Sequence, residues 1–283
     1  MSRLYKYTSI GRPLDPTWPS NKAVLYLLPL AAILGLIWSF YRGADLWLAL
    51  QGAGIFALAT LGSWSLAREL LPDDHAGAFV SMALGFLAAM AFSHPGLLVL
   101  FATLLLVRVV NRSSGLKPRG TDSMIITALV IWAVYASGNP WFGAVAALAF
   151  FLDGMLVNPV KKQWLYSLIC LGAMVVYVVD HDVPWWHVVS ADSLLEWMAL
   201  LALFIFALHL LLMKKVHSRG DVDQNKLQLE RVKAGMAIGI LATLQGLDQM
   251  PDVILLVTTI GGLCIGIAFR RAFRSPVKGL RSG

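Results

Sequence analysis

Residues 23–41 read AVLYLLPLAAILGLIWSFY, nineteen positions without a charged side chain, closed on either side by Lys22 and Arg42. As a helix this stretch rises about 28 Å at ~1.5 Å per residue, close to the ~30 Å hydrocarbon thickness of a bilayer. It exceeds the apolar core of about 7–15 residues found in a cleavable signal peptide, and no small-residue cleavage pattern follows it. The polar arm before it, residues 1–22, carries Arg3, Lys6, Arg12 and Lys22. The stretch is therefore read as a retained first membrane span.

Further apolar runs follow at 47–67, 76–92, 96–110, 123–137, 140–157, 165–179, 193–213, 234–247 and 252–269. The whole chain is 58% hydrophobic and only 14% charged, against roughly 25% charged in a soluble domain. That leaves too little polar surface to cover a globule in water. The fold class expected is all-α: a polytopic integral membrane protein of about ten transmembrane helices arranged mainly as hairpins. Residues 1–22 form an N-terminal arm, 23–269 a single helical domain and 270–283 a basic tail. Several runs are short for a full crossing, so eight or nine spans stand as alternatives.

Charge placement favours ten. If the spans alternate from a cytoplasmic N-terminus, 22 of the 23 Lys and Arg fall on the inner side, Arg42 alone falling outside. Positively charged residues are retained on the cytoplasmic side of membranes, and omitting one span would scramble the pattern. Both termini are thus expected in the cytoplasm, in what is read as a prokaryotic inner membrane. The net charge of +7 is attributed to contact with anionic lipids, not to nucleic acid. The outer connections are short and Pro-containing (Ser93-His94-Pro95 and Gly138-Asn139-Pro140), or acidic and aromatic, as in residues 180–187 with Trp185, Trp186 and His187. Proline fixes a turn and cannot continue a helix.

Gly235-x-x-x-Gly239 and Gly262-x-x-x-Gly266 place small residues on one face of the last two spans. Such faces let helix backbones approach in lipid. They predict the packing seam of the final hairpin, with a homodimer seam as the alternative. Cys170 and Cys264 lie in apolar runs and suit packing, not a disulfide framework or a metal site.

Polar chemistry concentrates on the inner side: Arg68, Glu69, Asp73, Asp74 and His75, then Arg108, Asn111, Arg112 and Asp122, then Asp153. If the helices pack side by side, these groups converge at one mouth. Arginine pairs suit a phosphate or carboxylate, and carboxylates beside a histidine suit a divalent cation. The competing reading is structural, with Asp73 or Asp74 capping the third span and the arginines meeting lipid phosphates. Asp153, about a turn inside the sixth span, is the strongest single candidate. A carboxylate in hydrocarbon needs a substrate, an ion or a partner such as Arg108 or Arg112. Ser193-Leu194-Leu195-Glu196 reads as a capping box.

No zinc-protease, nucleophile-elbow or phosphate-loop motif occurs, and no residue pattern names a cofactor or a resident metal. Three functions remain compatible with the sequence. The first is transport of a small anionic or lipid-like solute. The second is an enzyme acting on a phosphate-bearing lipid at the cytoplasmic leaflet. The third is a non-catalytic assembly subunit.

Overall fold

The structure, a computed structural model, describes residues 3–184 and 191–273. These form ten α-helices, and no strand occurs among the described residues. They are α1 (Pro19–Tyr41), α2 (Leu46–Leu70), α3 (His75–Ala91), α4 (Leu97–Asn111), α5 (Gly120–Ser137), α6 (Trp141–Met155), α7 (Gln163–Asp180), α8 (Leu194–Leu212), α9 (Leu229–Leu244) and α10 (Met250–Phe273). Six segments are long and apolar enough to cross a membrane: α1, α2, α5, α7, α8 and the stretch Leu247–Ala272. That is the architecture of an integral membrane protein. α3, α4 and α6 are shorter apolar helices of 15–17 residues.

The helix boundaries follow from local chemistry. The Asp45 side chain accepts from the Leu48 amide (2.8 Å) to start α2, and Asp74 accepts from Gly77 (3.1 Å) to start α3. The expected Ser193–Glu196 capping box forms at α8, each side chain satisfying the other residue's backbone amide. Pro19 sits in the first turn of α1, where its missing N–H costs nothing. Gly138, at φ +69°, ends α5.

Sequence neighbours and spatial neighbours differ in one important place. α3 and α4 are joined by a short turn through Pro95, yet they do not form the packed hairpin expected. α10 packs strongly on α3 and also meets α4, α2, α8 and α9. The glycines explain this. A Cβ on Gly262 would strike the Ser81 backbone, and one on Gly266 would strike the backbone of Gly77, both on α3. Likewise a Cβ on Gly235 would collide with Asn111 of α4, and one on Gly239 with Leu70 of α2. The seams lie within the chain, as the small residues predict, but not between α9 and α10. Each of the last two helices instead presses its glycine face against an earlier one.

The result is an enclosed centre with a more exposed surround. α4 buries ten of its 15 residues, whereas α8 buries only Ala199, Leu203 and Phe206 of its 19. The outward residues of α1, α7 and α8 are apolar, among them Ile37, Val176 and Phe204. Large apolar side chains left in contact with the surroundings over a whole helix fit lipid, not water.

Hydrogen bonds and ion pairs tie the ends of α2, α4, α6 and the starts of α3, α5, α9 into one pole, which holds most of the described Lys and Arg. At the opposite pole the Asn139 amide donates to the Gln245 carbonyl (2.9 Å), and His181 stacks on Tyr177 with ring centroids 4.0 Å apart. Trp185, Trp186 and His187, and the tail beyond residue 273, lie outside the described residues.

Candidate functional site

Two polar centres lie at the basic pole, separated by their neighbours. The first is built on the C-terminal turn of α2. Glu69 is 1% exposed, and one oxygen accepts from Arg12 Nη1 (3.1 Å) and Arg108 Nε (3.0 Å). Arg12 belongs to the N-terminal arm, where Pro13 and Pro16 keep the stretch between a short 3-10 turn (Arg3–Lys6) and α1 non-helical. The same guanidinium grips Asp221 through two bonds, Nε to Oδ2 (2.6 Å) and Nη2 to Oδ1 (2.7 Å). A two-pronged guanidinium–carboxylate pair is the strong form of this contact. Burial works against the charge of Arg12, but Glu69 and then Asp221 overcome it and raise its pKa. The chain Asp221–Arg12–Glu69–Arg108 thereby joins the α8–α9 loop, the arm, α2 and α4. Asn111 Nδ2 reinforces it by donating to the Glu69 carbonyl (2.7 Å).

Beside this network Arg68 is differently placed. Its Nη1 lies 2.8 Å from His75 Nδ1 and 3.5 Å from Ser20 Oγ, and its guanidinium sits 5.7 Å over the Trp64 ring. Since arginine can only donate, His75 Nδ1 is the acceptor and its ring is neutral. The Arg68 Nε is buried without a partner, and among the described residues no carboxylate pairs with this side chain.

Both arrangements border a cavity of about 980 Å³. Its polar rim includes Arg12, Arg68, Arg108, Arg219, Ser20 and Asn21, and its deeper wall Leu61, Trp64, Phe101, Leu104 and Leu105. Four arginines face three carboxylates, Asp15, Glu69 and Asp221, so one positive charge is in excess.

The second centre is Asp153, fully buried near the end of α6. Its Oδ1 accepts from Arg112 Nε (2.9 Å) and from Arg231 Nη1 (2.8 Å). Arg231 also donates to the carbonyls of Val110 (2.9 Å) and Val157 (2.7 Å), and Arg112 to that of Asn158 (2.8 Å). These carbonyls lie at or just past the C-terminal ends of α4 and α6, where helix dipoles favour a cation. Arg112 and Asn158 both adopt left-handed backbone angles, φ 51° and 59°. For an arginine that conformation costs about 1–2 kcal/mol, which the bonds to Asp153 and Asn158 offset.

Of the residues singled out in the sequence, Arg68, Glu69, His75 and Arg108 border the cavity, whereas Asp73, Asp74, Asn111, Arg112, Asp122 and Asp153 do not. The Asp73–Asp74–His75 run does not converge as carboxylates and imidazole on one point. Asp73 receives the amides of His217 (2.9 Å) and Ser218 (2.8 Å). Asp74 caps α3 and pairs with Arg270 (2.6 Å). His75 turns to Arg68. Asp122 is taken by Ser9, through its amide at 2.9 Å and its hydroxyl at 2.5 Å. Among the described residues no group of three His, Cys, Asp or Glu is placed to hold a metal ion.

Sequence reasoning missed Arg12, Asp221 and Arg231. The arm and the α8–α9 loop are polar connections, and nothing in their composition says that they fold over the helix ends. Arg231 had a signal: a buried carboxylate at 153 needs cationic partners, and residue 231 lies just before the small and apolar run that starts at Ala234. The chain matches no protein-family model, no curated protein and no solved structure.

Proposed function

We propose that this chain is a multi-pass membrane protein of ten spans with its basic pole in the cytoplasm, and that it takes up a small anionic or lipid-like solute into the arginine-rimmed cavity for transport. The observation that carries this reading is Arg68: a part-buried guanidinium that lines a cavity large enough for a small organic ligand and is paired with no described carboxylate. A guanidinium without a carboxylate partner draws an anion through a charge-assisted bond, which contributes about 1.5–3 kcal/mol.

Binding and movement are favoured over hydrolysis or group transfer by the state of the carboxylates. Glu69, Asp73, Asp74, Asp122 and Asp153 are all held by arginines, serines or backbone amides. A general base needs a carboxylate free to reach its proton, and the three that line the cavity are engaged: Glu69 by two arginines, Asp221 by Arg12 and Asp15 by Thr17. The orientation rests on the basic residues gathered at the cavity end, which belong on the cytoplasmic side.

The reading is tested with glycerophosphoglycerol, a water-soluble organic anion, titrated calorimetrically into the purified full-length protein. Wild type is expected to bind saturably, and Arg68→Gln to bind about tenfold weaker or worse, the loss of one charge-assisted bond. Equal binding by the two proteins, or none by wild type, overturns it.

A further inference from the structure

The accessible surface of α2 and α4 has a pattern that a site for a free anion does not require. From Leu98 to Asn111 every residue of α4 is buried except four: Leu98, Phe101, Leu105 and Arg108. Their spacing of three, four and three places them on one face. The last ten residues of α2 are buried except Leu61 and Arg68, and Leu58 one turn earlier extends the same stripe. α4 therefore shows a single apolar stripe that runs into Arg108, and beside it Leu58 and Leu61 of α2 lie about two to three turns before Arg68 at the same pole. The two stripes lie side by side because Gly62 brings the helices together, with a Cβ there coming within 2.5 Å of Leu100. The Asn111–Glu69 bond aligns their ends. From Arg108 to Leu98 the stripe descends about 15 Å at ~1.5 Å per residue.

We infer that the ligand of this cavity is a membrane lipid bearing one negative charge on a phosphodiester headgroup, its headgroup at Arg68 and an acyl chain laid along the Leu61–Phe101–Leu105 groove. This rests on the reading of the cavity as an anion site and narrows it. The single surplus positive charge of the cavity matches a phosphodiester monoanion. Hydrogen-bonding side chains of the cavity such as Ser20 and Asn21 suit headgroup hydroxyls. The groove supplies no net attraction for a chain over bulk lipid, since lipid tails are as apolar as leucine. Its role is positional: the headgroup reaches Arg68 while the chain remains in an apolar medium. A lipid is also delivered at the high effective concentration of a membrane component.

The test uses full-length protein in nanodiscs of phosphatidylcholine containing a small fraction of phosphatidylglycerol with a photoreactive diazirine in its acyl chain. Cross-links are mapped by peptide mass spectrometry, with glycerophosphoglycerol binding measured on the same preparations. The inference predicts saturable cross-linking concentrated on residues 58–65 and 98–105. Unlabelled phosphatidylglycerol competes; phosphatidylcholine does not. Arg68→Gln reduces the labelling about tenfold, whereas Lys161→Gln, a cation at the same pole outside the cavity, leaves it unchanged. Leu105→Trp, which fills the groove below the arginines, blocks chain labelling but spares headgroup binding, which also shows that the variant folds. Saturable headgroup binding with cross-links spread evenly over the outward faces of α7 and α8 overturns the lipid assignment and leaves the anion site standing. Absence of both overturns both.

Discussion

Replacing Asp153 by asparagine keeps the shape of the side chain and removes its charge, and the structure sets the consequence. Two guanidiniums, Arg112 and Arg231, are 9% and 3% exposed and share the single carboxylate oxygen Oδ1 at 2.9 and 2.8 Å. Each charge-assisted bond contributes about 1.5–3 kcal/mol, so losing both costs about 3–6 kcal/mol. That agrees with the ~3–5 kcal/mol measured when one partner of a buried ion pair is removed. The carbonyls of Val110, Val157 and Asn158 still accept from the arginines, which places the expectation toward the lower end. Unfolding in mixed micelles by increasing SDS mole fraction measures the change. Arg112→Gln should destabilise as well, and the double variant should lose less than the sum of the two by about 0.5–3 kcal/mol, because the groups share one contact. The cavity does not include Asp153, so any Asp153→Asn protein that remains folded should retain anion binding. A variant of wild-type stability that no longer binds the anion would refute this reasoning and make Asp153 a ligand.

Four further outcomes follow from the same contacts. Glu69→Gln removes the carboxylate common to Arg12 and Arg108, so hydrogen exchange should quicken in residues 9–16 and 218–224, with the core of α4 unaffected. Burial alone would raise the Asp73 pKa, but bonds from Ser218 and His217 hold it below its usual 3.8. A depressed carboxylate stabilises above its unfolded pKa, so docking of the α8–α9 loop should survive acidification to about 3.8 and fail as pH falls through the lower folded value; pepsin cleavage within 213–228 reports it, and Asp73→Asn should be cleaved throughout the acidic range in which pepsin acts. Gly262→Leu should abolish folding because a side chain there meets the Ser81 backbone, whereas Gly261→Ala, where a Cβ meets open space inside α10, should raise stability by about 0.5–1 kcal/mol, both read by SDS titration. Reporter fusions at Ser93 and Gly138 should both report the outside of the membrane; a cytoplasmic signal at either contradicts the ten-span orientation.

How much of this was legible in sequence depends on the range of the interaction. Helix positions and several caps were readable because apolar runs, Asp74 and the Ser193–Glu196 box act within a turn or two. One boundary shifted for a physical reason: α9 begins at Leu229, earlier than its apolar run, because Arg231 is neutralised by Asp153 and can be buried. The partners of the glycine seams were not readable. A small-residue face states that something approaches closely but not which helix, and α10 found α3 where its nearer neighbour α9 was expected. The site was half visible. Arg68 and Arg108 stood out as charges at helix ends, but the distinction between a committed arginine and a free one is made by distant residues. Arg12 supplies the second cation that saturates Glu69, and that is what leaves Arg68 without a carboxylate. Asp153 was correctly read as needing a partner, and Arg112 was one of those named; the second, Arg231, is 78 residues away along the chain.

The central claim is that Arg68 holds an anion at the basic pole. Native mass spectrometry of the full-length protein, released from mild detergent micelles, tests it most directly. Wild type should retain a phosphate-bearing species at one equivalent or less, and Arg68→Gln, equally folded, should lose it while Lys161→Gln keeps it. The same species retained in equal amount by wild type and Arg68→Gln would contradict the account.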